Sequence, residues 1–224
     1  RRAIRFPKVV VPGEEHWRRM RVLSGLVADE ARASESSGAP SPIVPFEVVD
    51  KAAKVEGGWI PAITMPYLEA RPLGEDIKEK YRSGDKVGLR DLSKGITRLG
   101  KFFQRSNWDH GDISPGNILV DRDGGLYLID PDTLRHSSLA DSPVTELGHP
   151  SCAHPRRSGA ELEDDLYKFP LHTLLMQVDY LASCEGGRHD FEDEDCILLS
   201  SEDLSNPGAS DIMRGMGDHP ALAA

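Results

Sequence analysis

The spacing of apolar residues changes along this chain, and the change limits the folds it can adopt. Ile43–Asp50 and Gly57–Leu68 are short runs rich in apolar and β-branched residues, which predict two strands. From Leu92 to Phe103, apolar residues recur every three or four positions and predict a helix with one buried face. Strands in the first third and helices afterwards predict an α+β fold.

Further elements are predicted from local signals. Arg2–Val11 predicts a first strand, and Glu14 to about Ala33 predicts a helix whose apolar residues lie on one face. Residues 51–58 are expected to be a hairpin connection, and the turn-rich Ser34–Pro42 is expected to be a loop. Together these elements predict two layers of different class in an α+β arrangement.

Size and charge exclude several classes of protein. With 224 residues the chain is long enough for one large domain or two lobes. Its formal net charge of -10 argues against nonspecific binding to nucleic acid or anionic membranes. No apolar run approaches the roughly 18 residues of a membrane span. We therefore expect no nucleic-acid or membrane partner.

The cysteines and the first residues bear on the cellular location. Cys152, Cys184 and Cys196 are widely spaced, which favours neither a disulfide framework nor a zinc site. A reducing cytoplasm is the simplest interpretation. The chain starts without a Met or a signal-peptide core, so we expect a further segment before Arg1 in the full protein.

The stretch WDHGDISPGNILV, from Trp108 to Val120, carries the strongest chemical signal. Asp112 and Asn117 lie five positions apart in a Gly- and Pro-containing loop, just before a short apolar strand. The turn DRDGG joins this strand to LYLI, which predicts a hairpin. We expect the hairpin to return Asp130 to the neighbourhood of Asp112 and Asn117.

Two carboxylates and an amide oxygen that converge in this way suit phosphoryl transfer. Asp112 would act as the base or orient the attacking hydroxyl, while Asn117 and Asp130 would bind Mg2+ beside nucleotide phosphates. Each of these residues taken alone is also a common turn former. The spacing of all three together favours the catalytic interpretation.

These motifs resemble those of the protein kinase-like superfamily. HGDISPGN, from His110 to Asn117, is similar to the catalytic-loop pattern H-x-D-x-x-x-x-N, and LIDPD takes the place of the D-F-G segment. The resemblance extends to AIRF near Arg5, to the hinge-like ITMPYLEARPL and to DDLYKFPLHTLLM. More narrowly, ELGHPSCAHPRR, Glu146–Arg157, resembles a segment of bacterial eukaryotic-like serine/threonine kinases.

The resemblance implies a bilobal fold, with a partial N-lobe over residues 1–66 and a C-lobe over 67–224. It also implies ATP and Mg2+ as cofactors, and a protein substrate or regulatory partner. The carbonyl of Pro66 and the amide of Leu68 would face adenine, and Arg5 would bind phosphate. Asp165 would accept backbone N–H groups of the catalytic loop.

The chain also departs from the family pattern. Arg5 stands where kinases have a compact lysine, and no glutamate is well placed to pair with it. Lys8 either compensates or is a surface residue. Gly111 stands where many kinases have an arginine that binds the phosphate of the activation loop. Asp132 stands at the third D-F-G position in place of Gly. It is either an additional carboxylate beside the metal or a turn residue.

Three functional classes remain from the sequence. The first is a serine/threonine protein kinase, and the second is a small-molecule kinase of the aminoglycoside or choline type, whose loop is nearly the same. The third is a pseudokinase scaffold with weak or no nucleotide binding. The Gly-, Pro- and His-containing stretch after Asp130 favours the first class over the second.

Overall fold

The computed structural model describes residues 1–6, 13–38, 40–139, 148–157, 165–184, 191 and 197–218. In chain order, the elements of these residues are β1 (Arg2–Arg5), α1 (Glu14–Ser37), β2 (Glu47–Val55), β3 (Gly58–Pro66), β4 (Ala70–Pro72), α2 (Leu73–Ser83), α3 (Lys86–Arg105), β5 (Trp108–His110), β6 (Ile118–Asp121), β7 (Leu126–Leu128), β8 (Leu134–His136), α4 (Lys168–Ser183), α5 (Ser201–Ser205) and α6 (Asp211–Gly217). Two short 3-10 helices, Pro131–Thr133 and Ser137–Leu139, flank β8.

The chain divides into two compact units. The first contains Arg1–Glu69 and Tyr127–Asp132, and the second contains Ala70–Leu126 and Thr133–Ala224. The short return segment belongs to the first unit because Leu128 exchanges backbone hydrogen bonds with the stretch before β2. Its N–H donates to the Pro42 carbonyl at 2.7 Å, and its carbonyl accepts from Val44 at 3.1 Å. Asp130 and Asp132 are consequently part of the first unit.

An antiparallel sheet and one helix form most of the first unit. The strand order is β1-β3-β2, and Arg5 lies opposite Ile63 in the register. Helix α1 buries an apolar stripe at helical spacing, formed by Trp17, Met20, Leu23 and Val27. The predicted helix from Glu14 is confirmed, but it continues to Ser37 instead of ending near Ala33. It stops at Gly38, whose φ of 75° ends the helix in the left-handed region.

The hairpin between β2 and β3 is tighter than the sequence predicts. Residues 51–55, expected in the connection, continue strand β2, and Val55 pairs directly with Gly58. Only Glu56 and Gly57 form the turn, and the φ of 103° at Gly57 suits a two-residue hairpin loop. The strand pair is therefore long, with a register shift between Val49 and Ala53.

The second unit is mainly helical. Helices α3 and α4 pack against each other, and the rings of Phe103 and Tyr167 stack at a centroid distance of 5.0 Å at one end of this contact. The predicted apolar face of α3 is confirmed, because Leu92, Ile96, Leu99 and Phe103 are all buried. Asp85 caps this helix by accepting the backbone N–H of Gly88.

Short strands hold the predicted catalytic loop within the second unit. Strand β5 pairs antiparallel with β8, and β6 pairs antiparallel with β4. The tight turn after β6 is confirmed, since Asp121 Oδ1 accepts the N–H groups of Asp123 and Gly125. The α+β class is confirmed, with a β-rich first unit and a largely helical second unit. No helix of the described residues is long and apolar enough to cross a membrane.

Candidate functional site

The loop that carries Asp112 is anchored through a buried histidine. His110 is only 1% exposed and belongs to β5. Its Nδ1 accepts the backbone N–H of Asp112 at 3.2 Å. The N–H of Gly111 donates to the carbonyl of Thr133 at 3.1 Å. The backbone on the N-terminal side of Asp112 is thus fixed by two hydrogen bonds within the second unit.

Asp112 and Asn117 are in direct contact. Nδ2 of Asn117 donates to Oδ2 and to the backbone carbonyl of Asp112, each at 2.9 Å. The N–H of Asn117 donates to the Ser114 carbonyl at 3.1 Å, which closes the turn between them. The structure therefore brings together two of the predicted site residues. Because Nδ2 of Asn117 is used on Asp112, its Oδ1 is the atom left to meet a ligand.

The second carboxylate oxygen of Asp112 is held from another part of the chain. Oδ1 accepts the backbone N–H of His149 at 2.8 Å. Each oxygen of this carboxylate therefore has a neutral N–H donor, one from its own loop and one from the segment 148–157. Carboxylate oxygens accept more than one hydrogen bond, so a hydroxyl can still approach.

A cavity of about 320 Å³ opens beside Asp112. Its walls are the loop that carries Asp112, the segment 148–157 and the start of α4, all in the second unit. Charged side chains on these walls include Asp112, Arg157, Asp165 and Lys168. This volume is at the lower end of the range for small-ligand pockets and is large enough for one side chain of a polymer substrate.

Asp109, which was not predicted from the sequence, connects the strand before the loop to the start of α4. Its carboxylate accepts the N–H of Leu166 at 2.8 Å and that of Tyr167 at 3.0 Å. Burial raises the pKa of Asp109, and the backbone donors oppose that rise. The corresponding prediction for Asp165 was wrong: its carboxylate pairs with Nζ of Lys168 at 2.5 Å. Asp109 is the acceptor, and the donors are N–H groups just before α4, which is the reverse of the predicted direction.

A second group of charged residues lies in the first unit. The guanidinium of Arg5 contacts the carboxylate of Asp130 through Nη1 and that of Asp132 through Nη2, the latter at 3.0 Å. Asp130 has a φ of 66°, in the left-handed region that Asp tolerates better than most residues. Arg5 thus bridges two carboxylates where the sequence analysis found no suitable glutamate.

Helix α1 contributes two further basic side chains to this group. Nη1 of Arg19 donates to the backbone carbonyl of Asp132 at 3.0 Å. Nε2 of His16 lies 3.7 Å from Asp132 Oδ1. Burial lowers the pKa of His16 more than the neighbouring Asp132 raises it. Asp132 lies in the 3-10 helix Pro131–Thr133, and its carboxylate is also an ion-pair partner of Arg5, a contact that the sequence did not predict.

The residues predicted to face adenine lie at the end of β3 and just beyond it. Pro66 is exposed and lies opposite Arg2 in the sheet, while Leu68 is half-buried. The N–H of Tyr67, between them, donates to the carbonyl of Arg1 at 3.2 Å. The position of this segment depends on the first strand, and its contact with adenine stays a prediction.

Other predicted site features are distributed between the units. Asp112 and Asn117 are in contact in the second unit, and Arg5 and Asp130 are in contact in the first. The convergence of all four stays a prediction. Lys8 lies outside the described residues. Within the described part of the chain, no cluster of three or more His, Cys, Asp or Glu side chains is placed to bind a metal ion.

Neither a scan against protein-family models nor a search of curated proteins finds a match for this chain. The contacts of His149 and Arg157 with the loop were not predicted, although both residues belong to the segment ELGHPSCAHPRR. Its resemblance to one kinase group was the only sequence signal at these positions.

Proposed function

We propose that this chain is a bacterial eukaryotic-like serine/threonine kinase that transfers phosphate from ATP to a protein in the cytoplasm. In this proposal, residues 1–66 form a partial N-lobe and 67–224 form the C-lobe of a bilobal kinase-like domain. The observation that carries it is the contact between Asp112 and Asn117, in the H-x-D-x-x-x-x-N spacing, beside a cavity. The α+β division of the chain is consistent with this fold.

Asp112 would orient the hydroxyl of the substrate and accept its proton. Two N–H groups, from Asn117 and His149, fix its carboxylate without neutralising its charge. A carboxylate that is oriented in this way and can accept a further hydrogen bond is suited to this role. The cavity beside it would receive the Ser or Thr side chain.

Asn117 and Asp130 would bind Mg2+. The donor set fits this ion in kind, because amide and carboxylate oxygens are hard ligands. Mg2+ is usually held by one or two protein groups together with substrate phosphates, so a cage of three or more protein ligands is not needed. Held by Asn117 and Asp130, Mg2+ would supply positive charge beside the nucleotide phosphates.

Arg5, Pro66 and Leu68 would bind the nucleotide. Arg5 carries a permanent charge and two amino groups that can face phosphate oxygens. In the structure these amino groups meet Asp130 and Asp132. For Arg5 to bind phosphate and Asp130 to bind Mg2+, their mutual contact would have to open.

The same ion pairs favour a second candidate, a scaffold that binds nucleotide weakly or not at all. If the guanidinium of Arg5 keeps its contact with Asp130, the carboxylate is neutralised and Mg2+ loses its main ligand. The two functions differ in one measurable respect, which is whether Mg-ATP displaces Arg5 from Asp130.

The test is transfer of the labelled γ-phosphate from ATP to the chain itself and to a generic protein substrate, with and without Mg2+. Thermal unfolding with ATP, with and without Mg2+, is measured in parallel. The kinase proposal expects Mg-dependent transfer and a Mg-dependent rise in melting temperature. A protein that shows neither is better described as the scaffold.

A further inference from the structure

The guanidinium of Arg157 lies against the backbone of the loop that carries Asp112. Its Nη1 donates to the carbonyl of Gly111 at 2.5 Å. A Cβ atom at Gly111 would lie 3.1 Å from Nη2 of Arg157, and one at Gly148 would lie 3.3 Å from Nη1. The guanidinium therefore occupies a space that two glycines leave open, one on each of the two segments that meet here.

Gly148 also permits the close approach of these segments. Its φ of 75° is in the left-handed region, and an added Cβ would lie 2.6 Å from the Gly111 carbonyl oxygen. It would lie only 3.1 Å from Oδ1 of Asp112. A side chain at this position would push away the backbone of His149, whose N–H holds Oδ1.

We propose that Arg157 is a positioning residue for Asp112. Its charged hydrogen bond to Gly111 fastens the segment 148–157 to the loop, so that the N–H of His149 stays on Oδ1. With Asn117 on Oδ2, this fixes the plane of the carboxylate at the wall of the cavity. The catalytic consequence rests on the proposed function, but the contact itself does not.

Two variants of Arg157 and one of its neighbour test the proposal. Arg157→Ala removes the donor, and Arg157→Lys keeps the charge without the planar guanidinium. Arg156→Ala is the matched control, because Arg156 is the exposed preceding residue of the same segment. Melting temperature is measured for all three, and Arg157→Lys carries the test if Arg157→Ala does not fold.

The first readout is hydrogen exchange of the backbone amide of His149, followed in wild type and variants without nucleotide. We expect at least about tenfold faster exchange in Arg157→Ala, a smaller increase in Arg157→Lys and no change in Arg156→Ala. The reason is that loss of the hydrogen bond from Arg157 to Gly111 lets the His149 N–H open to water. Unchanged exchange in both Arg157 variants would overturn the proposal, whatever the activity.

The second readout is steady-state phosphoryl transfer. We expect Arg157→Ala to lower kcat about 10- to 100-fold while KM for ATP stays the same, because a displaced carboxylate affects the chemical step and not the nucleotide. Arg157→Lys should recover part of the loss. Faster exchange with an unchanged kcat would overturn the positioning role. If the Arg157 variants exchange faster but wild type transfers no phosphate, the structural role of the Arg157–Gly111 contact is supported and the proposed function is refuted.

Discussion

The two groups of acidic residues differ in the kind of partner that holds them. In the second unit, the carboxylate of Asp112 accepts neutral N–H groups from Asn117 and His149. In the first unit, Asp130 and Asp132 are ion-paired with the guanidinium of Arg5. Neutral donors orient a carboxylate and leave its charge, whereas a guanidinium cancels it.

This difference assigns different tasks to the two groups. Under the proposed function, Asp112 could receive a hydroxyl without first losing a charged partner. Asp130 would act as a metal ligand only if a divalent cation and nucleotide displaced Arg5 from its oxygens. The comparison therefore predicts that Asp112, in the second unit, acts in the chemical step and that Asp130, in the first unit, acts through metal binding.

The largest effect is expected for Asp130→Ala. Removal of the principal Mg2+ ligand should lower phosphoryl transfer to background and abolish the Mg-dependent part of the rise in melting temperature with ATP. Radiolabel transfer and thermal unfolding measure these two effects. Asp123→Ala, an exposed acid in the turn after β6, is the control and should behave as wild type. Retention of Mg-dependent transfer by Asp130→Ala would show that this carboxylate is not the metal ligand.

Asp112→Ala should lower activity nearly as much as Asp130→Ala, but through kcat and not through nucleotide binding. Loss of the group that accepts the hydroxyl proton is expected to reduce kcat by roughly 10²- to 10⁴-fold. The dissociation constant for Mg-ATP, measured by calorimetry, should change little, because Asp112 would contact the acceptor hydroxyl and not the nucleotide. If nucleotide binding weakened in parallel with kcat, the division of tasks between the two groups would not hold.

Arg5→Lys tests how the first group is held. One guanidinium meets Asp130 and Asp132 with separate amino groups, and an ammonium is a point charge that lacks this fork. In the proposed function both amino groups of Arg5 would face phosphate oxygens of ATP, a contact that a lysine ammonium cannot make with two groups, so we expect about a tenfold lower kcat/KM for ATP in Arg5→Lys. Arg2→Lys, at the other end of the same strand, is the control. A rise in activity in Arg5→Lys would instead identify Arg5 as a degraded lysine site.

The sequence predicted the elements better than their connections. The apolar stripes of α1 and α3 were recognisable because burial selects one helical face, and both helices are present. The turn at Glu56–Gly57 was placed too broadly, since apolar spacing does not show where a strand ends when its last residues are exposed. The helix end at Gly38 was likewise missed, because Ser-rich residues form both loops and last turns.

The candidate site shows the same division. The contact of Asp112 with Asn117 was predictable, because they lie only five positions apart and the turn between them is local. The N–H of His149 comes from 37 residues further along, and a backbone donor has no sequence signature. Asp109 was overlooked for a related reason: its partners are backbone amides, so only the fold reveals them.

The smallest predicted effect is on the pH dependence of stability. It distinguishes a buried carboxylate held by backbone N–H groups from an exposed one paired with a lysine. Burial raises the pKa of Asp109, which has only backbone donors, whereas the exposed Asp91 has its pKa lowered by Lys94. A raised folded-state pKa favours folding of the protonated form, so wild type should gain stability relative to Asp109→Asn as pH falls toward the ordinary value of 3.8. For Asp91→Asn the sign reverses: wild type should lose relative stability as pH falls below 3.8. Urea unfolding of the three proteins across this pH range measures both slopes, and equal slopes would contradict the assignment of burial as the dominant influence on Asp109.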